Sequence, residues 1–196
     1  VISLMSSNSF YSWIACRIFG YRLIVSERGD PSSEKGFYSK VKHFAMNRAD
    51  AAIFQTEGAK SFFSQRLQRN SVILPNPALF DAQPIDSPKW SERTNAISFV
   101  ARFECKQKRQ DVMLYAFKLV IEHYPDIMLN FYGDGPDMDD ARRLADKLLI
   151  SGSVVFHGAV RDVRRRLYLT KYFVISSDYE GIPNSLIEAM CAGCAC

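Results

Sequence analysis

Short apolar runs alternate with longer amphipathic segments along almost the whole chain, and this alternation restricts the fold more than any other feature. Most of the runs are apolar on both faces, as expected of strands that lie buried between two layers of helices. They predict eight strands, at 2–5, 23–26, 51–55, 72–74, 96–100, 128–132, 154–156 and 172–176. The segments between them predict helices at 9–19, 38–48, 57–67, 109–123 and 136–149, and a last helix that begins near 184. Regular alternation of strand and helix predicts an α/β fold with parallel sheets.

The alternation is interrupted at 78–94, where prolines and short polar residues show no sustained period. We therefore predict a linker there, between one α/β unit at 1–77 and a second at 95–196. The first residues resemble a strand already under way, and the last helix should lead into a further strand. We expect the chain to be a piece of a longer protein, lacking the start of the first unit and the end of the second.

Charge is unevenly distributed between the two predicted units. Residues 1–77 carry ten Lys and Arg against five Asp and Glu, whereas residues 78–196 carry fifteen against sixteen. A basic first unit suits an anionic partner, such as a phosphorylated acceptor, a membrane surface or nucleic acid. A basic face that is merely solvated is the alternative, and composition leaves both open.

The cysteines and acidic residues provide no pattern that predicts a disulfide framework or a metal site. Five cysteines without paired spacing indicate a reducing cytoplasm. Cys191 and Cys194 lack the second ligand pair that structural zinc needs, so we interpret them as packing residues. Asp137 and Asp139 form a literal D-x-D, but acids after Gly135-Pro136 suit the first turn of a helix. We predict no bound metal.

The clearest candidate site follows the last predicted strand. A loop containing Gly181 leads to Pro183 and Asn184, where the next helix should start. Ligands of open parallel sheets bind outside the carboxyl ends of strands, and the start of a helix favours an anion such as a diphosphate. Glu180 in the loop and Glu188 about one turn into the helix are acceptors suited to a sugar and a ribose. An ordinary surface loop and an exposed glutamate fit the same spacing equally well.

A second candidate site follows the strand predicted at 96–100. Four cations, Arg102, Lys106, Lys108 and Arg109, occur within eight residues there. Arginine and lysine beside a strand terminus suit phosphate oxygens. A solvated basic loop is the alternative.

These segments together resemble one family. Glu180 and Glu188, in the setting EGIPNSLIEAMCAG, are similar to the E-x7-E motif of the group 1 (family 4) glycosyltransferases. The resemblance covers about residues 1–193 and implies the GT-B fold, with two Rossmann-like parallel-sheet domains. The other similar segments are SERGDP at 26–31, ADAAIFQT at 49–56, LPNP at 74–77, ARF and its lysine-rich loop at 101–108, YGDGP at 132–136 and VFHG at 155–158.

The resemblance also implies roles for particular residues. Arg102 and Lys108 would hold the donor diphosphate, with Lys106 as the fallback because the loop is one residue longer than usual. Glu180 would bind the transferred sugar, and Glu188 the ribose hydroxyls. The segment that lends backbone amides comprises Gly181, Ile182, Pro183 and Asn184. The residues that would border the nucleobase are Gly133, Gly135, Phe156 and His157.

Two positions depart from the family pattern. Ala101 stands where a glycine is usual, which a loop tolerates unless a positive φ is needed. Members often carry a histidine after the strand that corresponds to 23–26, but Ser26, Glu27 and Arg28 occupy that place here. We therefore assign no catalytic histidine.

By resemblance, the activity is transfer of a hexosyl or N-acetylhexosaminyl group from a nucleoside-diphosphate sugar, UDP-linked, to an acceptor hydroxyl with retention of configuration. The acceptor would be a sugar or a polyprenyl-diphosphate-linked glycan in cell-surface polysaccharide assembly, without cofactor or nucleic acid. The basic helix at 38–48 suits peripheral contact with the inner face of the cytoplasmic membrane. We expect the piece alone to be inactive.

Two other functions stay open at this stage. A sugar-nucleotide epimerase of similar architecture would act on the donor without an acceptor, and a non-catalytic domain would bind nucleotide without turnover. A dehydrogenase is disfavoured, because no G-x-G-x-x-G opens a helix after a strand.

Overall fold

The computed structural model describes residues 1–4, 6–77 and 88–196. Most of the predicted linker, and Met5 at the end of the first predicted strand, lie outside these residues. The described chain divides into two compact units. The first contains residues up to Pro77 together with the short segment Tyr179–Ile182, and the second contains the remainder.

The first unit is built on a four-stranded sheet with the order β1-β2-β3-β4, in which every neighbouring pair is parallel. At least one helix lies between each pair of consecutive strands, as is usual for parallel neighbours. Its strands are β1 (Ile2–Ser3), β2 (Ile24–Glu27), β3 (Ala51–Phe54) and β4 (Ser71–Ile73). Its α-helices are α1 (Ser9–Phe19), α2 (Phe37–Met46), α3 (Glu57–Ser61) and α4 (Gln65–Arg69).

The prediction of a single helix at 57–67 is wrong, because the helical conformation is interrupted between α3 and α4. Phe63 lies in this break, is buried in the core and packs on Phe54 with ring centroids 5.1 Å apart. Ser64 then adopts an extended conformation, and its N–H donates to Asn47 Oδ1 at 2.8 Å. The break therefore directs an aromatic ring inward, and burial of that ring outweighs the continuation of one helix.

A buried ion pair lies at the carboxyl end of β2. Lys42 Nζ on α2 is 3.0 Å from Glu27 Oε2, and both side chains are almost completely buried. The other carboxylate oxygen of Glu27 accepts hydrogen bonds from the N–H groups of Arg28 and Gly29, at 3.1 Å each. Glu27 is thus satisfied by the protein itself, as a buried carboxylate must be.

The second unit has a parallel four-stranded sheet with the order β7-β6-β5-β8. Because β5 lies in the middle, the connection after β7 crosses to the other side of β5. The strands are β5 (Thr94–Val100), β6 (Met128–Tyr132), β7 (Val154–Phe156) and β8 (Thr170–Phe173). The α-helices are α5 (Cys105–Lys108), α6 (Gln110–His123), α7 (Met138–Lys147), α8 (Val163–Leu169) and α9 (Asn184–Cys191).

Two parts of the second unit differ from the sequence prediction. The last strand, predicted at 172–176, is assigned to Thr170–Phe173, although Val174 N–H still donates to Ser98 O at 3.1 Å. Helix α8 passes directly into β8 at Thr170, without a glycine or proline to mark the boundary. The sequence therefore offers no turn signal there, and neither α8 nor the one-turn helix α5 is predicted.

The core of the second unit contains a group of packed aromatic rings. Phe131 on β6 contacts the rings of Phe99, Phe103 and Phe156, with centroids 5.2–5.5 Å apart. Phe103 belongs to the loop after β5 and is only 1% exposed. Burial of this ring fixes the loop to the sheet. In the described ranges, no helix combines the length and apolar character that crossing a bilayer requires.

Candidate functional site

The loops that follow the four strands of the second unit lie at one edge of its sheet. Parallel strands point the same way, so their carboxyl ends meet at the same edge. Ala101 and the residues after it follow β5, Gly133 follows β6, His157 follows β7, and Val174 follows β8. Most of the residues singled out in the sequence are thus brought to this edge by the register of four strands.

The loops after β5 and β6 approach each other closely at two glycines. A Cβ on Gly133 would lie 1.9 Å from Ala101 O, and a Cβ on Gly135 would lie 2.3 Å from Phe103 O. Gly133 also has a φ of 134°, which residues with side chains rarely adopt. Glycine is required at both positions, because the backbone on either side of Arg102 leaves no room for a Cβ.

Backbone hydrogen bonds complete the connection between these loops. Phe103 N–H donates to Asp134 O at 3.0 Å, and Gly133 N–H donates to Gly158 O at 2.8 Å. Asp137 Oδ2 accepts from Cys105 N–H at 2.7 Å. As predicted, Asp139 lies in the first turn of a helix, α7. The loops after β5, β6 and β7 therefore form one hydrogen-bonded layer.

Arg102 is an exposed cation of this layer. Its side chain is solvent-exposed, and within the described part of the chain it makes no ion pair. Its carbonyl oxygen accepts a hydrogen bond of 2.8 Å from Nε2 of Gln110, which is completely buried. Ala101 does not have a positive φ, so the glycine usual at that position is not needed. The backbone at Arg102 is held while its guanidinium faces solvent.

Lys106 and Lys108 lie on the single turn of α5. Residues two apart on a helix project about 200° from each other, so the two ammonium groups do not share a direction. Lys106 is exposed and Lys108 is half-buried. Arg109, which follows α5, adopts a left-handed conformation with φ 53°.

Arg109, the fourth cation of the segment, is engaged by carboxylates. Its NH1 lies 3.1 Å from both carboxylate oxygens of Asp178, and its Nε lies 3.2 Å from Asp111 Oδ1. The hypothesis that all four cations face phosphate is therefore corrected at Arg109.

Glu188 lies on α9 and is partly buried. Its Oε1 is 3.6 Å from Nε of Arg164 on α8, and this contact orients the carboxylate. No signal in the sequence pointed to Arg164. Pro183 precedes the first residue of α9, Asn184, and supplies no side-chain cap. The start of α9 is thus at the predicted position. The Pro183 carbonyl accepts hydrogen bonds from the N–H groups of Leu186 and Ile187, at 3.2 and 3.3 Å.

Phe156 and His157 point to opposite faces of the sheet. Phe156 packs in the core on Phe131, whereas the His157 ring stacks on Tyr132 at 4.5 Å, with Nε2 2.8 Å from Asn130 Oδ1. Burial, and secondarily the charge of Arg166, lower the pKa of His157. The imidazole is therefore neutral near pH 7 and held in place by protein groups.

Glu180, Gly181 and Ile182 belong to the segment that clusters with the first unit. The N–H of Ile182 donates to Gln55 Oε1 at 3.3 Å, and its carbonyl accepts from Asn76 Nδ2 at 3.1 Å. A Cβ on Gly181 would lie 2.3 Å from Arg28 O. Two side-chain amides hold the segment, and the Ile182 amide predicted to serve a ligand has a protein partner.

Comparison with solved structures identifies the fold. HepE of Anabaena, in complex with UDP and glucose, aligns over 98% of this chain and 57% of its own, with a TM-score of 0.81 and 17% identity. A TarM variant of S. aureus, in complex with UDP, α-GlcNAc-glycerol and fondaparinux, aligns over 96% of this chain and 38% of its own, with a TM-score of 0.79 and 18% identity. The two parallel-sheet α/β units have the GT-B fold of these structures.

The chain belongs to the group 1 glycosyl transferases. The sequence model of the family described as Glycosyl transferases group 1 matches residues 94–196, which is more than half of the chain. An uncharacterised glycosyltransferase of Methanocaldococcus jannaschii is 29% identical over 187 residues, covering 86% of this chain and 46% of that protein. The Vi polysaccharide biosynthesis protein VipC/TviE of Salmonella typhi is 38% identical over 73 residues, covering 37% of this chain and 13% of that protein. The chain spans less than half the length of either relative.

Proposed function

We propose that the full-length protein is a retaining glycosyltransferase that moves a hexosyl group, N-acetylhexosaminyl included, from a UDP-linked sugar to an acceptor hydroxyl. The observation that carries this proposal is the exposed guanidinium of Arg102 on a backbone held by Gly133, Gly135 and Gln110. Because the backbone that carries Arg102 is already fixed, its guanidinium can contact a diphosphate without a rearrangement of the loop. The HepE and TarM complexes both contain UDP, which supports the choice of nucleotide.

In the proposed reaction, the bond between the anomeric carbon and the β-phosphate oxygen breaks, and its electron pair leaves with the diphosphate. The acceptor oxygen forms the new bond to that carbon, and its proton passes to solvent. The diphosphate gains about one negative charge, which Arg102, Lys108 and about half a positive charge at the start of α9 offset. We therefore infer that the reaction needs no resident metal or other cofactor.

The roles proposed for the two glutamates differ. Glu188, oriented by Arg164, would accept hydrogen bonds from the ribose hydroxyls. Glu180 would contact the transferred sugar. A part in polysaccharide assembly is supported by the relative named for Vi polysaccharide biosynthesis. The acceptor that we propose is a sugar or a polyprenyl-diphosphate-linked glycan of the cell surface.

The direct test is to incubate the full-length protein with a panel of UDP-, GDP-, ADP- and dTDP-linked sugars, with and without sugar and polyprenyl-diphosphate acceptors. Acceptor-dependent release of nucleoside diphosphate, with the anomeric configuration retained in the product, is the expected result. Epimerised sugar formed without acceptor would identify an epimerase, and binding without turnover would identify a non-catalytic domain. Either outcome would overturn the proposal.

Replacing Glu188 by glutamine is expected to weaken binding of the free nucleoside diphosphate by about tenfold, because a hydrogen bond to a charged acceptor is worth about 1–1.5 kcal/mol more than one to a neutral acceptor. Turnover at saturating donor should change less than affinity. Calorimetric titration measures the affinity, and Glu122→Gln on the exposed face of α6 is the matched control. Equal affinity in the Glu188 and Glu122 variants would remove Glu188 from the nucleotide site.

We infer that peripheral contact with the inner face of the cytoplasmic membrane uses α1 together with the basic helix α2. On α2, Lys42 is buried against Glu27, whereas Lys40 is exposed and Phe37 is 82% exposed. On α1, Ile18 and Phe19 are 71% and 69% exposed, and the neighbouring side chain of Arg17 is also exposed. Apolar side chains bordered by cations suit the interface of an acidic bilayer.

The double change Ile18→Ser and Phe19→Ser is therefore expected to lower partition onto vesicles containing phosphatidylglycerol by at least about tenfold, since each apolar side chain contributes more than 1 kcal/mol on burial. Cosedimentation of the full-length protein measures this partition. Leu119→Ser, at a 62% exposed position on α6, is the control that should leave it unchanged. Absence of binding by the unaltered protein, or equal binding by the double variant, would exclude this contact.

A further inference from the structure

Arg109 joins two helices in a conformation that side chains normally avoid. It follows the last residue of α5, precedes the first residue of α6, and has a φ of 53°. In the described chain, Leu149 is the other non-glycine residue with a positive φ. Glycine would adopt this backbone conformation without a steric penalty. The presence of arginine therefore indicates that its side chain contributes something that glycine cannot.

The guanidinium of Arg109 binds two carboxylates from different segments. NH1 lies 3.1 Å from each oxygen of Asp178, in the loop after β8. Nε and NH2 lie 3.2 and 3.3 Å from the two oxygens of Asp111, in the first turn of α6. Hydrogen bonds from Asp111 and then Asp178 raise the pKa of Arg109 above its already high usual range, so the charge is permanent. Asp111 is held in the forked geometry that arginine forms and lysine does not, whereas both oxygens of Asp178 face the single nitrogen NH1.

The backbone joins the same two segments beside these ion pairs. Asp178 N–H donates to Gln107 O at 2.9 Å. Ser176 Oγ lies 3.0 Å from Lys108 O and 2.9 Å from Arg109 O. Three consecutive carbonyls, from Gln107 to Arg109, thus face donors from residues 176–178. The loop after β8 is attached to the end of the cationic segment by side-chain and main-chain contacts together.

We propose that Arg109 is a positioning residue that locks the loop after β8 onto the cationic segment 102–108 before the donor binds. This inference rests on the proposed function, since it assigns to that segment the donor diphosphate. The loop continues through residues 179–182 to the start of α9, so its attachment fixes the point at which the chain leaves this edge of the second sheet. Holding a loop in the binding conformation lowers the entropic cost of binding, and small displacements of a site reduce turnover strongly. Arg109 acts through Asp178 and does not touch the donor.

Two single variants in the full-length protein test this assignment. Arg109→Gly retains the left-handed backbone and removes the guanidinium, whereas Asp178→Ala removes the acceptor and leaves the arginine. Each is expected to lower kcat/KM for the donor by about 10–100-fold. The double variant should be no worse than either single one, because both remove the same interaction. Arg109→Lys should retain little of the lost activity, since lysine cannot form the forked contact with Asp111 that fixes the cation beside Asp178.

A direct phosphate contact by Arg109 would produce a different pattern. In that case Arg109→Gly would abolish nucleoside-diphosphate binding, whereas Asp178→Ala would leave it unchanged or strengthen it by releasing the cation. This asymmetry would overturn the proposal. The matched controls are Arg143→Ala and Asp140→Ala, which remove an exposed ion pair on α7, and these should leave kcat/KM within about twofold.

Hydrogen exchange provides a measurement that does not depend on activity. The backbone N–H of residue 178 donates to Gln107 O. Its hydrogen should exchange at least about tenfold faster in Arg109→Gly and in Asp178→Ala than in the unaltered protein. Unchanged exchange in either variant would overturn the attachment, even if activity fell. If exchange is faster in both variants but the unaltered protein binds no nucleotide, the proposed function fails and the attachment stands. The two claims are therefore judged separately.

Discussion

Replacing Arg102 by alanine in the full-length protein is expected to lower turnover by about 10²–10³-fold, which is the effect of removing one preorganised donor from a developing anion. The charge that leaves with the diphosphate forms only as the sugar bond breaks, so the loss should appear mainly in kcat. Arg102 is suited to this role because its backbone is held by Gln110 while its guanidinium faces solvent. Steady-state kinetics with saturating donor and acceptor measures the effect.

The controls for this experiment separate charge from position. Arg66→Ala removes an exposed arginine on α4 of the first unit and should change kcat by less than twofold. Arg102→Lys retains the charge without the forked donors and should lie between the alanine variant and the unaltered protein. A loss of less than about threefold in Arg102→Ala would remove this residue from the reaction centre.

Replacing Gly133 by alanine is expected to destabilise the second unit by roughly 2–6 kcal/mol, from overpacking and from a strained backbone together. The new Cβ would lie 1.9 Å from Ala101 O, and the residue would have to keep a φ of 134° or move. For Gly135→Ala, with contacts of 2.3 Å to Phe103 O and 2.7 Å to Phe103 N, the backbone must also shift. Thermal unfolding followed by circular dichroism measures the loss.

Gly152→Ala is the matched control for these two variants. Gly152 lies in the same unit, has no positive φ, and a Cβ there would meet nothing within 4 Å. Its midpoint of unfolding should stay within a few degrees of the unaltered protein, whereas Gly133→Ala and Gly135→Ala should lower theirs by roughly 5–20 °C. Equal midpoints in all three variants would show that the loops after β5 and β6 do not need this close approach.

Much of the architecture could be predicted because buried parallel strands are apolar on both faces and are therefore distinct in the sequence. Ala51–Phe54 and Met128–Tyr132 lie within a residue of their predicted bounds. The elements that were missed or divided depend on tertiary contacts. The break between α3 and α4 arises because the ring of Phe63 is buried in the core. Helix α8 was missed because three consecutive arginines, at 164–166, precede its one buried residue, Leu167.

The candidate site could be predicted in outline because loops at the carboxyl ends of parallel strands meet at one edge. Arg102 was singled out for this reason and by family resemblance, and the glycines at 133 and 135 by the resemblance alone. The structure attributes the two glycines to close backbone approach, which spacing alone does not reveal. The engagement of Arg109 and the pairing of Arg164 with Glu188 depend on contacts between residues distant in sequence. No signal in the sequence predicted the left-handed conformation of Arg109.

Calorimetric titration of nucleoside diphosphates into the full-length protein tests most directly the claim that the loops of the second unit bind a donor diphosphate. The account predicts saturable binding of UDP, at least about tenfold weaker binding of UMP, and about tenfold or greater loss of UDP affinity in Arg102→Ala. It also predicts the same UDP affinity with and without EDTA, because the charges are balanced by protein groups. Equal affinity for UMP and UDP, or UDP binding that is unaffected by Arg102→Ala, would contradict it.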